Sequence, residues 1–273
     1  AHHYGHEVLS LDLDAELQRI GIKWQQAKWE NSPTPVTFRP HKVERNDAAF
    51  TALLGHHVLS TGLHTCGGLA LAQIEAAAAA GAGLMNLGCC YHKLADGEWN
   101  LSQGPALPLN LYALTLAAGA HRKVTVADVA FRHQVKRFRY ALHMYLVDEH
   151  GIVGNVTLGN CPPALYQASF AAYAREQLNR LGVATAVSDA ALNAYSADTA
   201  RGTLVQNMIA AGIVRDVLGR PLELAILLDR ARWLEEQSLR AKLVEVFDPA
   251  VSPRNILLSA WPSSGGTLPA SPA

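Results

Sequence analysis

Short apolar runs of strand length alternate with segments of helical spacing in the first third of the chain. Residues 15–30 place apolar side chains at Leu17, Ile20, Trp24 and Ala27, which predicts a helix. Strong helix formers predict a second helix over 69–82. The strand-like runs lie on either side of these helices, at 7–14, 35–43, 56–67 and 84–90. This alternation indicates an α/β fold whose parallel sheet is covered on both faces.

From residue 105 the pattern becomes almost wholly helical, and it returns to strands near the end. Three segments predict helices, at 127–150, 163–182 and 221–243. Residues 243–249 and 255–261 flank the turn-forming sequence AVSPR, which predicts a closing antiparallel hairpin. We expect residues 5–94 and 243–261 to form one sheet. The predicted organisation is a cofactor-binding half over 1–104, a helical insertion over 105–242, the hairpin over 243–261 and a disordered tail over 262–273.

Composition and charge narrow the classes of function. The 273 residues carry 23 basic and 23 acidic side chains, so no overall field attracts nucleic acid or an anionic membrane. The longest apolar stretch, 68–90, contains Gln73, Glu75 and several glycines, which makes it a poor membrane span. Four cysteines, two of them adjacent, are typical of a reducing compartment, and we expect a cytoplasmic protein.

Candidate ligand-binding side chains follow the predicted strands. Ligands of open α/β sheets lie beyond the carboxyl ends of the strands, where this chain has Asp12, residues 64–67, residues 89–92 and residues 248–255. An acid at the end of such a strand can accept hydrogen bonds from both ribose hydroxyls, and we give this role to Asp12. Asp14 is better explained as a helix N-cap.

The sequence LMNLGCCYHKL, residues 84–94, allows four interpretations. A zinc site would use His64, Cys66, Cys89, Cys90 and His92, but side chains of adjacent residues alternate across a strand, so we predict that no metal binds. A redox pair is disfavoured because the chain has no Cys-x-x-Cys. The cysteines are then either small buried apolar residues or, with Tyr91 and His92, the lining of a pocket. We expect one of the pair to face the core and the other the crevice.

Four stretches together resemble the methyltransferase-like protein 25 family of S-adenosylmethionine-dependent methyltransferases. These are GLHTCGGLA, LMNLGCCYHKL, LAILLDRARWLEEQ and VFDPAVSPRNILL, and the resemblance runs from about residue 5 to about residue 260. It implies a Rossmann-like class I methyltransferase sheet with a helical insertion before the closing hairpin. In the family a first strand and its glycine-rich cofactor loop come before the segment that resembles GHEVLSLDLD. We therefore expect this sheet to lack its first strand, as in a chain truncated at the N-terminus.

The resemblance also implies roles for individual residues. The cofactor would be S-adenosyl-L-methionine, with Asp12 at the ribose and His64, Cys66 and Gly67 beside it. The substrate pocket would include Cys89, Cys90, Tyr91, Arg254 and Asn255, although Arg254 is also explained by a pair with Asp248 that fixes the turn. Family members have an acid where this chain has Gly68, which removes one candidate polar contact.

The methyl acceptor and the catalytic base stay open. His64 and His92 are the candidates for a base because histidine titrates near neutral pH, although methyl transfer often needs only positioning. An RNA acceptor would be contacted by Lys136, Arg137 and Arg139, but this spacing is more typical of a solvated helix face with Phe138 and Tyr140 turned inward. A protein acceptor is the other class. The alternative functions are a non-catalytic scaffold that keeps the fold and a zinc-dependent enzyme.

Overall fold

A computed structural model describes residues 5–29, 35–94, 97–119, 125–154, 156, 158–252 and 254–263. The chain divides into two compact units, one formed by Ala1–His121 with Gly219–Ala273 and the other by Arg122–Leu218. The tail expected to be disordered lies outside the described residues from position 264 onward. No helix among the described residues is long and apolar enough to cross a membrane.

The first unit is a mixed α/β assembly, as the sequence predicted, with both parallel and antiparallel strand pairs. Its strands are β1 (Val8–Asp12), β2 (Val36–Pro40), β3 (Leu59–Thr65), β4 (Gly83–Gly88), β5 (Leu239–Glu245) and β6 (Ile256–Pro262). Its helices are α1 (Ala15–Trp29), α2 (Ala48–Thr51), α3 (Gly68–Ala80), α4 (Leu111–Ala118) and α10 (Gly219–Glu236). A 3-10 helix, Tyr91–Lys93, follows β4.

The strands form two sheets rather than the single sheet that we expected. β1 and β2 pair in parallel as a two-stranded sheet, and the other four strands have the order β3-β4-β6-β5. The hairpin prediction is confirmed, because β5 and β6 are antiparallel and β6 pairs with β4. The expectation is wrong for β1 and β2, since in the described residues β1 pairs only with β2 and β3 only with β4. β1 and β3 therefore each present one unpaired edge.

Helix α3 shows why the alanine-rich segment is helical and where it is buried. Seven of its residues are buried, and Ile74 and Ala77 join Leu84 of β4 and Leu258 of β6 in one apolar cluster. The helix ends at Gly81, whose left-handed conformation favours glycine. Helix α3, which connects the parallel strands β3 and β4, thus covers one face of the four-stranded sheet.

Two helix boundaries differ from the sequence prediction. The helix expected over 221–243 ends at Glu236, and β5 begins at Leu239 after Ser238, which has a φ of 65°. A left-handed serine gives no glycine or proline signal, so the boundary is hidden in the sequence. The segment 163–182 is two helices, because the chain becomes extended at Ala168 and Ser169 caps the second one.

The second unit consists of helices. They are α5 (Val126–His150), α6 (Pro163–Gln167), α7 (Phe170–Arg180), α8 (Asp189–Ala197) and α9 (Thr199–Val217). Its core is aromatic, with the ring of Phe138 5.6 Å from Phe170 and 5.4 Å from Tyr173. The flanking helices α4 and α10 belong to the first unit, where α10 packs against β5 and α4.

Candidate functional site

The end of β3 is irregular at His64. Leu63 pairs with Leu87 and Thr65 with Gly88, so His64 bulges out of the ladder to β4. His64 is exposed and has a φ of 58°, a conformation that costs a non-glycine residue free energy and that clusters at functional sites. Two residues later, the thiol of Cys66 donates a hydrogen bond to the His64 carbonyl at 3.2 Å. The bulge thus sets the direction of Cys66.

Three thiols converge beyond β3 and β4. The Sγ atom of Cys66 lies 3.1 Å from that of Cys89, and Cys89 Sγ lies 3.4 Å from Cys90 Sγ. We call Cys66, Cys89 and Cys90 the thiol cluster. Cys89 is buried and Cys90 partly exposed, at the end of an interior strand, as predicted. However, the argument that adjacent cysteines cannot reach one point is wrong here. β4 ends at Gly88, so strand alternation no longer applies to the pair.

Gly67 permits the contact that brings the two cysteine segments together. Its φ is 54° and its ψ is −130°, a combination that is open to glycine. A Cβ at Gly67 would lie 2.5 Å from the backbone oxygen of Lys93. The loop before α3 and the 3-10 helix after β4 are therefore in backbone contact at this position.

The thiols differ in their electrostatic surroundings. Burial raises the pKa of Cys89 to about 12, and the hydrogen bonds to Cys66 and Cys90 add to this rise. Burial also opposes ionisation of Cys90. For Cys90, however, the hydrogen bonds with the thiols of Cys66 and Cys89 and the charges of Lys93 and Arg254 outweigh burial. The pKa of Cys90 is therefore lowered. Negative charge is thus better accommodated at Cys90 than at Cys89.

Asp12 is exposed at the carboxyl end of β1, as the sequence predicted. Its Oδ1 atom accepts the backbone N–H of Asp14 at 2.8 Å. Asp14 in turn caps α1 through the backbone N–H groups of Glu16 and Leu17. The carboxylate of Asp12 is therefore held by a local turn and remains accessible to a ligand.

The hairpin residues have structural partners. Arg254 donates from Nη2 to the carbonyl of Ala118 at 3.1 Å, which satisfies the end of α4. Asn255 is buried, accepts from Arg220 at 3.0 Å and donates to the carbonyl of Phe247 at 2.9 Å. Arg254 influences the site through its charge near Cys90, whereas Asn255 closes the turn between β5 and β6.

The residues next to the cysteines face opposite ways. His92 is exposed, whereas Tyr91 is buried with its hydroxyl 3.4 Å from Glu223 Oε1. The guanidinium of Arg230, only 1% exposed, lies over the Tyr91 ring at 5.4 Å. Within the described part of the chain its Nε and Nη1 atoms have no hydrogen-bond partner. Sequence reasoning missed Arg230 and Glu223, since nothing in the helical pattern of α10 marks these charged positions as buried.

A buried polar network also went unpredicted beneath the strand ends. Asn86 of β4 donates to Thr65 Oγ1 at 2.8 Å and to Gln73 Oε1 at 2.7 Å. Gln73 in turn donates to Ser60 Oγ at 3.1 Å. The signal in the sequence was Asn86, a polar residue in the middle of the apolar run 84–90 that needs hydrogen-bond partners when it is buried. The network fixes β3, β4 and α3 relative to one another, and thereby the loops that carry the cysteines.

A cavity of about 290 Å³ opens elsewhere in the first unit. It lies between the segment 99–109 and α10, and its lining includes Trp99, Leu107, Ile226 and Asp229. None of the residues predicted for the site lines it. Asp229 anchors this segment by accepting the backbone N–H groups of Leu101 and Ser102.

The basic cluster of the second unit is largely engaged. Lys136 pairs with Asp216 at 3.2 Å, and Arg139 donates to Asn160 Oδ1 at 2.8 Å. Arg137 is the exposed member of the three. Phe138 is buried, which confirms that its side chain turns inward.

Comparison with known proteins bears on the first 97 residues. No solved structure matches the chain. A family model for a methyltransferase domain matches residues 1–97, the segment that contains β1 to β4 and all three thiols. Over this segment the chain is similar to a methyltransferase domain.

Proposed function

We propose that this chain acts in S-adenosylmethionine-dependent methyl transfer. One observation carries the proposal. The segment that matches a methyltransferase domain supplies two parallel strand pairs, and their carboxyl ends carry Asp12 and the thiol cluster. Ligands of open α/β sheets bind at this end of the strands. The resemblance of the cysteine and hairpin motifs to the methyltransferase-like protein 25 family supports the same function.

Asp12 fits the ribose of the cofactor. It is an exposed carboxylate held in place by the Asp14 backbone, so it can accept hydroxyl hydrogen bonds without rearrangement. We assign His64, Cys66 and Gly67 to the neighbouring part of the cofactor site. When bound, S-adenosylmethionine supplies an electrophilic methyl group. The protein's part is to orient the acceptor and to exclude water.

The unpaired edges of β1 and β3 support a further strand in the functional protein. A parallel strand that paired with both edges would join the two sheets into one, with the order β2-β1-new strand-β3-β4-β6-β5. An unpaired edge leaves backbone N–H and C=O groups without ladder partners, so such a strand also stabilises the unit. We propose that this strand carries the glycine-rich cofactor loop implied by the family resemblance.

The acceptor would approach the side of the thiol cluster. Cys89, Cys90, Tyr91, Arg254 and Asn255 are our proposed substrate-pocket residues, although the buried Tyr91 and Asn255 support the pocket from behind. His64 and His92 are both exposed, so either can be reached by an acceptor that needs a base. We place the reaction in the reducing cytoplasm, where thiols remain free.

RNA and protein remain the two candidate classes of acceptor. Of the proposed RNA-contacting residues Lys136, Arg137 and Arg139, Arg137 is the exposed one, whereas Lys136 pairs with Asp216 and Arg139 donates to Asn160. An RNA contact through this face would rest mainly on Arg137.

A scaffold that retains the fold without the chemistry is the second candidate. Gly68 favours it, because family members carry an acid at this position. A Cβ at Gly68 would meet no atom within 4 Å, so packing does not require the glycine. The missing acid is therefore a difference in chemistry rather than in fit.

Cofactor binding and turnover separate the two functions. Calorimetry with S-adenosylmethionine should show weak or no binding to the 273-residue chain and binding to a version that carries an additional N-terminal strand and glycine-rich loop. Micromolar binding by the 273-residue chain would show that the loop is dispensable. Incubation of the binding version with labelled cofactor and fractionated cell extract should then label an acceptor that ribonuclease or protease removes. Binding without any labelling supports the scaffold, and no binding by either version contradicts both.

A further inference from the structure

The geometry of the thiol cluster is close to that of a metal site. Cys66, Cys89 and Cys90 place their Sγ atoms within 4.8 Å of one another, with two of the separations at 3.1 and 3.4 Å. Zinc binds thiolate at about 2.3 Å in tetrahedral geometry, which places two sulfur ligands about 3.8 Å apart. The separations of 3.1 and 3.4 Å would each have to widen by less than about 1 Å to accept an ion.

We propose that Cys66, Cys89 and Cys90 bind one thiophilic metal ion, Zn(II) or Cu(I), as a three-thiolate site. Soft sulfur ligands select these ions over Mg²⁺ or Ca²⁺, which prefer oxygen. Each cysteine loses its thiol proton to solvent as its sulfur bonds the ion. Among the described residues, this cluster is the one group of three or more potential ligands within reach of a single ion. Zn(II) would therefore keep a fourth position for water or substrate, the arrangement of catalytic rather than structural zinc.

Local backbone contacts hold the three sulfurs in place before any ion binds. The Leu69 N–H donates to the Cys66 carbonyl at 3.2 Å, and the Lys93 N–H donates to the Cys90 carbonyl at 3.0 Å. The contact of Gly67 with the Lys93 backbone joins the two segments. Ligands that are already ordered lose little entropy on binding, which favours affinity.

The surrounding charges suit the bound state. Three thiolates and a divalent ion carry a net charge of about −1. Lys93 and Arg254 both act on Cys90, and Arg254 is positioned by its hydrogen bond to Ala118. This positive field offsets the excess negative charge of the metal-bound cluster.

Cys161 supplies a matched control. It is the fourth cysteine of the chain and lies in the second unit, where its Sγ atom is 2.7 Å from Gln177 Nε2. Replacing it with serine removes a thiol without touching the cluster. Cys90 is partly exposed, whereas Cys89 is buried, so Cys90→Ser should disturb the fold less than Cys89→Ser. Cys66→Ser and Cys89→Ser complete the set.

The test measures metal affinity and stoichiometry on the reduced, metal-stripped 273-residue chain under anaerobic conditions. Zn(II) is titrated in competition with a chromophoric zinc chelator, and Cu(I) in competition with a copper(I) chelator. We expect one ion per chain in at least one of the two arms. Each cluster variant should weaken binding at least about tenfold, since even residues outside the ligand set cost about 10- to 100-fold at zinc sites. Cys161→Ser should bind as the unchanged chain does.

Two results would overturn the proposal. One is that the unchanged chain binds less than one equivalent of Zn(II) and also less than one equivalent of Cu(I). The other is equal affinity in Cys90→Ser and Cys161→Ser, with both shown to be folded by their unfolding curves. Neither result depends on S-adenosylmethionine, so the metal site and the proposed methyl transfer stand or fail separately.

Discussion

Gly67 and Gly68 are neighbours in sequence but should respond in opposite ways to an added methyl group. Gly67 has a φ of 54°, and its added Cβ would lie 2.5 Å from the Lys93 oxygen and 2.9 Å from the Lys93 carbonyl carbon. Both contacts are with backbone, which cannot rotate away as a side chain can. Gly68 is the first residue of α3, and its added Cβ meets nothing within 4 Å.

The cost of Gly67→Ala has two parts. A non-glycine residue in this backbone conformation costs about 1 to 3 kcal/mol. Forcing the Lys93 backbone aside resembles overpacking of a core, which costs a further 1 to 3 kcal/mol or so. We therefore expect the variant to lose about 2 to 6 kcal/mol of unfolding free energy. Gly68→Ala should instead gain about 0.5 kcal/mol, because alanine has less backbone entropy to lose in a helix.

Tryptophan fluorescence is the appropriate probe for both variants. All five tryptophans lie in the first unit, so their emission during urea unfolding reports that unit alone. Gly67→Ala should shift the midpoint to lower urea, and Gly68→Ala should leave it unchanged or shift it slightly higher. Equal midpoints for the two variants would refute the close approach of Gly67 to Lys93.

Three further substitutions test other parts of the first unit. In a version that binds S-adenosylmethionine, Asp12→Ala should weaken binding by about 1 to 3 kcal/mol, measured by calorimetry. Asp14→Ala removes only a helix cap and should leave the affinity unchanged. Equal losses of affinity in the two variants would contradict the ribose role of Asp12. Asp47 accepts from the Phe50 backbone and from His41, which lower its pKa, so its stabilisation is present above about pH 3.9 and is lost as the pH falls through the lowered value. Asp47→Asn should therefore reduce the fall of the urea midpoint in that acid range, and an unchanged fall would count against the bonds. Arg230→Met replaces a buried charge and should leave stability unchanged or raise it by about 1 to 3 kcal/mol. A loss above about 1 kcal/mol would show that the contact of the guanidinium with the Tyr91 ring outweighs the cost of burying its charge.

The sequence predicted those features that depend on local pattern. The apolar run before Cys89 correctly indicated a buried strand end, and the spacing over 127–150 matched α5, which is closed by a left-handed Gly151. The closing hairpin followed from its turn residues. In each case a nearby residue, glycine or proline, marks the boundary.

Features that depend on contacts between residues distant in the sequence could not be predicted. The convergence of the three sulfurs requires the bulge at His64, which leaves no distinct mark in the sequence, and the end of β4 at Gly88, two residues before the end of the predicted strand 84–90. The separation of β1 and β2 from the other strands depends on which strands pair with one another, and the local sequence of a strand does not show this. Arg230 is one of several charged residues along α10, and only packing shows that its charge is buried beside Tyr91.

The two cysteine motifs behave as one structural unit because Gly67 lacks a side chain. Displacing the Lys93 backbone also displaces Cys90, whose carbonyl accepts the Lys93 N–H at 3.0 Å. Gly67→Ala should therefore lose both stability and metal affinity, from a single cause. Cys90→Ser should lose metal affinity with little loss of stability, and Gly68→Ala should lose neither. If Gly67→Ala remained folded and bound Zn(II) or Cu(I) as tightly as the unchanged chain, the approach of Gly67 to Lys93 would not be what positions the thiol cluster.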